Sequence, residues 1–451
     1  MPEADANPEK KFFIDLITVD ISLEDAILDL IDNAVDSFRR TRKIDLYKNL
    51  IHPDDRPAET LADININFTP KQFKIADNCG GITFESAKKD VFRFGHPDPH
   101  RGESLSAFGI GMKRAIFKIG RQIKIESHAT KSGFLMDLDV DNWLGEQTTD
   151  WKIPIEEETG EQDLSKAGTK IVISRLRQEV ATVTANPTFE NRLITTIQES
   201  YPFYLGKYIR IFVNGKELKG IALSFAESQN IKPAIETWED GNVKATMICG
   251  LLPREEGGKW THAKSGWYLV CNGRVIVHAD KTILTGWGGV LPQFMPKNRG
   301  FLGIVFFTSD HPEELPWRTT KRGINSESAV FIRTFKRMIP ASRSVIQFQN
   351  KMYQSNDDDE PKEEYRDSVK DLPSSSATEK AAQRGVSEEK SQPQSFAYPP
   401  PSSLPKTTDI QFHVRVEDIV RVKKRLGRAS MPNYEVGEKV FKYFLDRECA
   451  Q

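Results

Sequence analysis

Apolar side chains recur every three or four residues between positions 22 and 40, which predicts an amphipathic helix. The members of this apolar stripe are Leu23, Ala26, Ile27, Leu30, Ile31, Ala34, Val35 and Phe38. Ser22, followed by Asp25 three residues later, predicts the start of the helix, because this pair is typical of a capping box.

Three polar residues of the same segment lie on the face opposite the apolar stripe. Asp29, Asn33 and Asp36 occupy positions i, i+4 and i+7, so a helix brings them onto one side. Considered alone, this pattern favours a face that is simply solvated. The motifs that follow favour a second interpretation, in which the face carries chemistry.

Downstream, the alternation of apolar and polar residues predicts strands. Residues 62–69 and the segment ending at Asp77 predict a hairpin, and residues 83–94 predict a short helix. A polar stretch at 96–107 predicts a long, functional loop. The segment GIGMKRAIFKIG (109–120) contains two glycines and then predicts an apolar helix that ends at Gly120. Further strands are predicted at 121–127, 133–140, 151–155 and 169–174. We therefore expect an α/β fold, a two-layer sandwich of a mixed sheet covered on one side by helices.

The rest of the chain falls into regions of different character. Apolar strand patterns between about 180 and 340 predict a second α/β domain. Residues 352–408 are poor in core-forming side chains, which predicts a disordered linker. Helical periodicity returns after Asp409 and predicts a helical hairpin. The expected division is 1–178, 179–345, 346–407 and 408–451.

Composition restricts the class of protein. The 451 residues contain 63 Lys and Arg against 64 Asp and Glu, so the overall charge does not indicate a polyanionic partner. The four cysteines are far apart in the sequence, without the spacing of a zinc site or a disulfide framework. No apolar segment has the length of a membrane helix, and the first residues lack the pattern of a signal peptide. We expect a cytoplasmic protein that does not contact a membrane.

Four motifs occur in a fixed order: DLIDNAVD (29–36), ADNCGGI (76–82), FGIGMKRA (108–115) and GTKIVI (168–173). Together they resemble the motif set of the GHKL ATPases, the superfamily of DNA gyrases, ATP-driven chaperones, histidine kinases and MutL. Within it, the chain is most similar to MORC-type and related prokaryotic ATPases. The resemblance implies a Bergerat-type ATP-binding sandwich followed by a transducer-like domain, in which CNGRVI (271–276) resembles a transducer strand.

The resemblance assigns the first motif to the γ-phosphate and the metal ion. Asn33 would bind Mg²⁺ through its amide oxygen. Asp29 would hold the attacking water and accept its proton, although the family usually carries Glu at this position. Asp36 would form local hydrogen bonds that hold the motif together.

The second and fourth motifs would recognise adenine. Asp77 would accept a hydrogen bond from the exocyclic amine, Gly81 would let the backbone approach the base, and Ile82 would line the site. Thr169 would support Asp77. Cys79 departs from the family, which prefers Gly there; turn formation alone also explains DNCGG.

The third motif would meet the phosphates with a glycine-rich turn at a helix start. Its candidate residues are Ser106, Gly109, Ile110, Gly111, Met112 and Lys113. Ser106 occupies a family glycine position, and Lys113 is the better cation for phosphate. Tight packing is the alternative explanation for the glycines. No P-loop motif is present.

A lysine of the second domain would complete the site. Lys321, in TTKRGIN, matches by context the transducer lysine that contacts the γ-phosphate in GHKL ATPases. Arg322 and Lys297 are alternatives, and a surface lysine without function is another.

The resemblance implies a Mg²⁺-dependent ATPase in which ATP binding closes the loop at 96–107 over the nucleotide as a lid and promotes dimerisation. Residues 11–21 would contact a partner subunit or pack on their own domain. The client would be DNA or a protein, and the basic run at 421–428 predicts either nucleic-acid binding or a solvated face. A histidine kinase is not expected, because little chain precedes Ser22. A non-hydrolysing, ATP-gated interaction module is the alternative function.

Overall fold

A computed structural model describes most of the chain. The described residues are 8–42, 61–95, 104–106, 109–130, 132–145, 151–158, 167–255, 259–353, 361–362, 364–365, 369, 372–377, 380, 392–399 and 413–448. The chain divides into two compact units, Met1–Pro401 and Ser402–Gln451. The first unit contains two large sheets and the candidate site.

The first sheet of the described residues has eight strands, in the order β5-β4-β3-β6-β2-β1-β7-β8. Their bounds are β1 Ala62–Thr69, β2 Gln72–Asp77, β3 Gly120–His128, β4 Gly133–Asp139, β5 Glu156–Glu158, β6 Gly168–Leu176, β7 Ile209–Val213 and β8 Lys216–Glu217. Strand β1 pairs antiparallel with β2 and parallel with β7. The sheet thus extends past residue 178, where the sequence pattern ended the first domain, because β7 joins it through a long-range pairing.

Helices cover one face of this sheet. They are α1 Lys10–Val19, α2 Leu23–Arg42, α3 Phe84–Ser86 with a π-helical turn at Ala87–Val91, α4 Gly111–Ile119 and α5 Val140–Gly145. Along β1, Ile64 and Ile66 are fully buried while the alternating residues Asn65 and Asn67 are exposed, as expected for a sheet with one covered face. The predicted two-layer α/β arrangement is confirmed.

The predicted hairpin, the helix after Ser22 and the helix ending before Gly120 are present. Ser22 accepts a hydrogen bond from the Asp25 amide at 3.1 Å, as the capping box requires. The strand predicted at 151–155 is wrong, since the strand lies at Glu156–Glu158. Trp151 instead packs edge-on against Phe13 and Trp143, which removes this segment from the sheet.

Two helices and a second sheet follow. The helices are α6 Gln178–Ala185 and α7 Pro187–Ser200, and a short strand, β9 Ser224–Ala226, precedes the sheet. The second sheet has the order β10-β11-β14-β12-β13, with β10 Ala234–Asp240, β11 Val243–Leu251, β12 Gly266–Cys271, β13 Arg274–Asp280 and β14 Phe301–Thr308. Short 3₁₀ helices lie at Ile283–Thr285, Pro296–Asn298 and Pro312–Glu314, and α8 Ala329–Met352 packs against β11 and β14.

The segment 346–407, which was predicted to be a disordered linker, forms strand pairings and buried contacts in its described parts. Strand β15, Ser374–Ser376, pairs antiparallel with β9. Gln394 pairs with Ile235 at the edge of the second sheet, and Phe396 is buried against Phe348. A few apolar residues and edge-strand pairing therefore attach a segment whose composition predicted disorder.

The second unit contains α9 Val416–Arg425 and α10 Asn433–Glu448, which contact each other as the predicted hairpin does. Throughout the described parts of the chain, every helix is too short or too polar to cross a membrane.

Candidate functional site

One cavity of about 580 Å³ lies between α2, β2, β6 and the start of α4. The residues predicted for the site all line it: Asp29, Asn33, Asp36, Asp77, Gly81, Ile82, Ser106, Gly109, Ile110, Gly111, Met112, Lys113, Thr169 and Lys321. Phe108 and residues 96–103 and 107 of the predicted loop lie outside the described residues. The structure thus brings together side chains from four motifs and from the second sheet region.

The polar face of α2 is directed inward, not toward solvent. Asp29 and Asp36 are 2% and 3% exposed, so the face that the pattern alone assigns to solvent is buried. Apolar residues on the other sides of the helix are buried as well. Burial of carboxylates on a helix requires partners, and each of these residues has them.

Asn33 is oriented by two hydrogen bonds. Its Nδ2 donates to the backbone carbonyl of Asp29 at 2.7 Å, one turn earlier in the helix. Its Oδ1 accepts from the Ser106 hydroxyl at 3.2 Å. A second lone pair of this amide oxygen is left for a hard cation.

Asp36 holds the segment 104–106 against α2. Its carboxylate accepts from Ser104 Oγ at 2.7 Å, from the Leu105 amide at 2.8 Å and from the Ser106 amide at 2.9 Å. Asp36 was predicted to hydrogen-bond locally; it forms a local ion pair with Arg39 at 3.8 Å, but these three hydrogen bonds reach residues far away in the sequence. The reason is burial, which brings a distant backbone segment to the carboxylate.

Asp77 ends strand β2, as predicted, and faces Thr169 across the β2–β6 pair. Its Oδ1 accepts from the Cys79 amide at 2.8 Å. Burial raises the pKa of Asp77 to about 6, although backbone hydrogen bonds from Cys79 and Thr169 act in the opposite direction.

Ser127 on β3 connects the elements around Asp77. Its hydroxyl accepts from the Ile82 amide at 2.8 Å and lies 2.9 Å from Thr169 Oγ1. Gly81 has φ +70°, and a Cβ there would lie 2.0 Å from the His128 carbonyl oxygen. Gly81 is thus required by the neighbouring strand, whether or not a ligand approaches it.

The start of α4 packs directly on α2. A Cβ at Gly111 would lie 3.2 Å from Asp29 Cγ, so this glycine lets the two helices approach.

The ammonium group of Lys113 is held at the wall of the cavity, since its Nζ donates to the Val91 carbonyl at 2.8 Å. Burial lowers the pKa of Lys113 to about 8. Arg114, the next residue, turns toward Asp29.

A cluster of buried charges lies at the inner end of the cavity. Arg114 donates to Asp29 Oδ2 through Nε at 2.9 Å, and its Nη2 lies 2.7 Å from the same oxygen. Lys321 lies 3.5 Å from Asp29 Oδ1 and donates to Asp32 Oδ2 at 2.6 Å. Arg274 also pairs with Asp32. The cluster therefore joins α2, α4 and the second sheet region.

Several residues of this network were not predicted. Asp32 receives a hydrogen bond from Tyr201 at 2.7 Å as well as from the two cations. Asp32 lies within DLIDNAVD and Arg274 within CNGRVI, but neither motif assigns these residues a role in the site, and Tyr201 lies in no motif. Their contacts join parts of the chain that are far apart in sequence. The sequence signal that could have found Asp32 and Arg274 is a charged residue within a helix or strand whose neighbouring residues are mostly apolar.

A metal ion would have few protein ligands here. Among the described residues, no group of three His, Cys, Asp or Glu side chains is arranged to hold a metal ion. The Asn33 amide oxygen, with one lone pair occupied by Ser106, suits Mg²⁺, which shares its ligands with water and phosphate.

Residues 21–169 match the family model described as "Histidine kinase-, DNA gyrase B-, and HSP90-like ATPase". The match spans α2, the first three motifs and the first two residues of the fourth, so this segment is a domain of the GHKL ATPase type. A search of the curated proteins found no match to the chain.

Proposed function

We propose that this protein binds ATP in the cavity and hydrolyses it to ADP and phosphate with Mg²⁺. The observation that carries the proposal is the convergence of all the predicted site residues on one cavity. Its volume of about 580 Å³ falls in the range of small-ligand sites, roughly 300–1,000 Å³. The GHKL match covers the same segment and supports nucleotide binding.

In this proposal, the Asp77 end of the cavity holds adenine. A carboxylate at the end of β2 accepts a hydrogen bond from the exocyclic amine, and guanine offers no donor at that position. Thr169 and Gly81 lie around Asp77 and define this end. We therefore expect ATP to be selected over GTP.

The opposite end of the cavity holds the phosphates. The first turn of α4 offers backbone amides and the positive end of the helix dipole. Asn33 would hold Mg²⁺ there, and the ion, when bound, neutralises charge on the phosphate oxygens. Arg114 and Lys321 add two cations beside Asp29.

Asp29 would act on the attacking water. In the structure, this carboxylate is engaged by Arg114 and lies close to Lys321, so it is not free to orient water. The γ-phosphoryl group is a competing anion for the same cations. We propose that ATP draws Lys321 away from Asp29 Oδ1 toward the phosphate, while Arg114 stays on Oδ2. The released Oδ1 then holds water and accepts its proton.

A non-hydrolysing, ATP-gated interaction module is the second candidate. It is supported by the ion pair between Asp29 and Arg114 and by Asp at a position where the family usually carries Glu. Two measurements on the full chain distinguish the ATPase from the interaction module. The first is ATP binding, and the second is phosphate release, with and without Mg²⁺ and with and without DNA. Mg²⁺-dependent release supports an ATPase, binding without release supports the module, and absence of binding contradicts both.

We also propose that two copies associate when ATP binds. Phe12, Leu16 and Val19 lie on one face of α1 and are 62%, 55% and 67% exposed. The opposite face of α1 is buried at Ile14 and Thr18. A helix with one packed face and one exposed apolar face is suited to contact a second subunit.

A further inference from the structure

The turn between β12 and β13 reaches the wall of the candidate site. Its two residues, Asn272 and Gly273, have φ values of +45° and +83°. Such two-residue hairpin turns favour Asn-Gly, which explains the residue types. Asn272 is nevertheless 1% exposed, which is unusual for a turn residue and shows that its side chain has a buried partner.

The Asn272 side chain has all of its amide groups paired. Nδ2 donates to the Ser309 carbonyl at 3.1 Å and to the Ser104 carbonyl at 3.0 Å. Oδ1 accepts from the Ser309 amide at 3.0 Å. The contacts with Ser309 stay within the second sheet region. The contact with Ser104 crosses to the segment that lines the cavity.

Ser104 is held from the other side by Asp36. From Ser104, the chain continues to Ser106, whose hydroxyl donates to Asn33 Oδ1 at 3.2 Å. A continuous set of hydrogen bonds therefore runs from Asn272 through the segment 104–106 to the amide oxygen of Asn33.

The same turn also contacts α2 directly. Arg274, two residues after Asn272, pairs with the buried carboxylate of Asp32, the neighbour of Asn33. The Tyr204 hydroxyl donates to the Asn272 carbonyl at 2.6 Å and holds the turn in place. The turn thus fixes both the helix that carries Asn33 and the serine that orients it.

We propose that Asn272 is a positioning residue of the Mg·ATP site, acting from the second sheet. It fixes Ser104, so that Ser106 occupies one lone pair of Asn33 Oδ1 and leaves the other directed to the cation. This inference rests on the proposed function, since it assigns a role within the same site. Loss of the Ser104 contact weakens the Mg²⁺-dependent part of ATP binding and spares the part that does not need the ion.

The test is Asn272→Gly, because glycine accepts the positive φ and removes only the side chain. Asn214→Gly is a matched control: Asn214 lies in the Asn-Gly turn between β7 and β8, has φ +46°, and bonds to Phe68 and Glu190, away from the cavity. Asn272→Asp is a second variant. It keeps the shape and the hydrogen bond from the Ser309 amide, and it replaces the donor to the Ser104 and Ser309 carbonyls with an acceptor.

Isothermal titration of the full chain with ATP, in Mg²⁺ and in EDTA, gives the readout. We expect Asn272→Gly and Asn272→Asp to bind Mg·ATP about fivefold more weakly, the loss typical of one hydrogen bond, with unchanged affinity in EDTA. Asn214→Gly should match wild type. Asn33→Ala should lose the difference between Mg²⁺ and EDTA altogether.

Equal Mg·ATP affinity in wild type and both Asn272 variants would overturn the inference. An equal loss in Mg²⁺ and in EDTA would also overturn it, because that is the effect of general destabilisation. Failure of wild type to bind Mg·ATP is a different outcome, since it would overturn the proposed function itself.

Discussion

The ammonium group of Lys321 donates to Asp32 at 2.6 Å and lies 3.5 Å from Asp29. Asp32 keeps two other partners, Arg274 and Tyr201, when Lys321 is absent. Lys321 therefore has a resting position from which it can leave without stranding a buried carboxylate. Lys321, a residue of the second sheet region, thus places a cation beside Asp29, at the end of the cavity where we propose that the phosphates bind.

We expect Lys321→Ala to bind ATP nearly normally and to release phosphate about 10³-fold more slowly, because a cation at the γ-phosphoryl group stabilises the transition state. Arg322→Ala is the matched control. Arg322 is the next residue, pairs with Asp25 and does not line the cavity. Phosphate release and ATP titration on both variants provide the measurement. Wild-type turnover in Lys321→Ala would remove Lys321 from the mechanism.

Asp29→Asn should retain ATP binding and lose turnover, since an amide cannot accept the proton of the attacking water. It should also lower the unfolding temperature, because Arg114 loses a buried ionic partner. Asp25→Asn, on the same helix, removes the partner of Arg322 without touching the cavity. It should reduce stability and leave turnover in place.

Unchanged phosphate release in Asp29→Asn would require a different base. Glu24 and Asp32 are alternatives on α2, and neither lines the cavity. Asp36 lines the cavity, but its carboxylate is occupied by three hydrogen bonds from residues 104–106. Glu24 pairs with Arg192, and Asp32 is enclosed by two cations and Tyr201. The structure thus favours Asp29 among the carboxylates of this helix.

The elements that carry the motifs were predictable because their signals are local. The Ser22 cap, the strand ending at Asp77 and the helix beginning at Gly111 follow from capping, alternation and glycine preference. The inward orientation of Asp29 and Asp36 did not follow, because helical periodicity assigns polar residues to solvent. Burial of that face depends on Ser104 and Arg114, which are distant in sequence.

Contacts of long sequence separation account for most of what the sequence did not predict. Asp32 on α2 and Arg274 on β13 are buried charges far apart in sequence, and each taken alone resembles an exposed residue. The β1–β7 pairing and the β9–β15 pairing have no periodicity that specifies a partner. Residue patterns specify which strands form, but not which of them become neighbours.

The pH dependence of ATP binding tests the adenine end of the site. Because burial raises the pKa of Asp77 to about 6, its carboxylate form is populated above that pH and lost below it. The carboxylate is a stronger hydrogen-bond acceptor for the adenine amine than the protonated carboxyl group. Affinity should therefore be full near pH 7.5 and fall as the pH drops through about 6.

Titration with ATP from pH 5 to 8 measures this profile. Asp77→Asn should bind weakly at every pH and show no transition near pH 6. An affinity that is constant from pH 5 to 8 in wild type would place the adenine contact elsewhere.

The exposed face of α1 gives a prediction about assembly. Leu16→Glu places a charge at the centre of this apolar stripe and should prevent association of two copies in the presence of ATP. Lys11→Glu, at an exposed position of the same helix, serves as a control for added charge. Sedimentation with a non-hydrolysable ATP analogue provides the readout. A dimer of unchanged stability in Leu16→Glu would exclude this face.

The most direct test of the central claim is calorimetric titration of the full chain with Mg·ATP and Mg·GTP, repeated on Asp77→Asn. We expect that one ATP binds per chain in wild type, that GTP does not compete, and that Asp77→Asn loses ATP affinity while remaining folded. Absence of ATP binding by wild type, or equal ATP binding by folded Asp77→Asn, would contradict it.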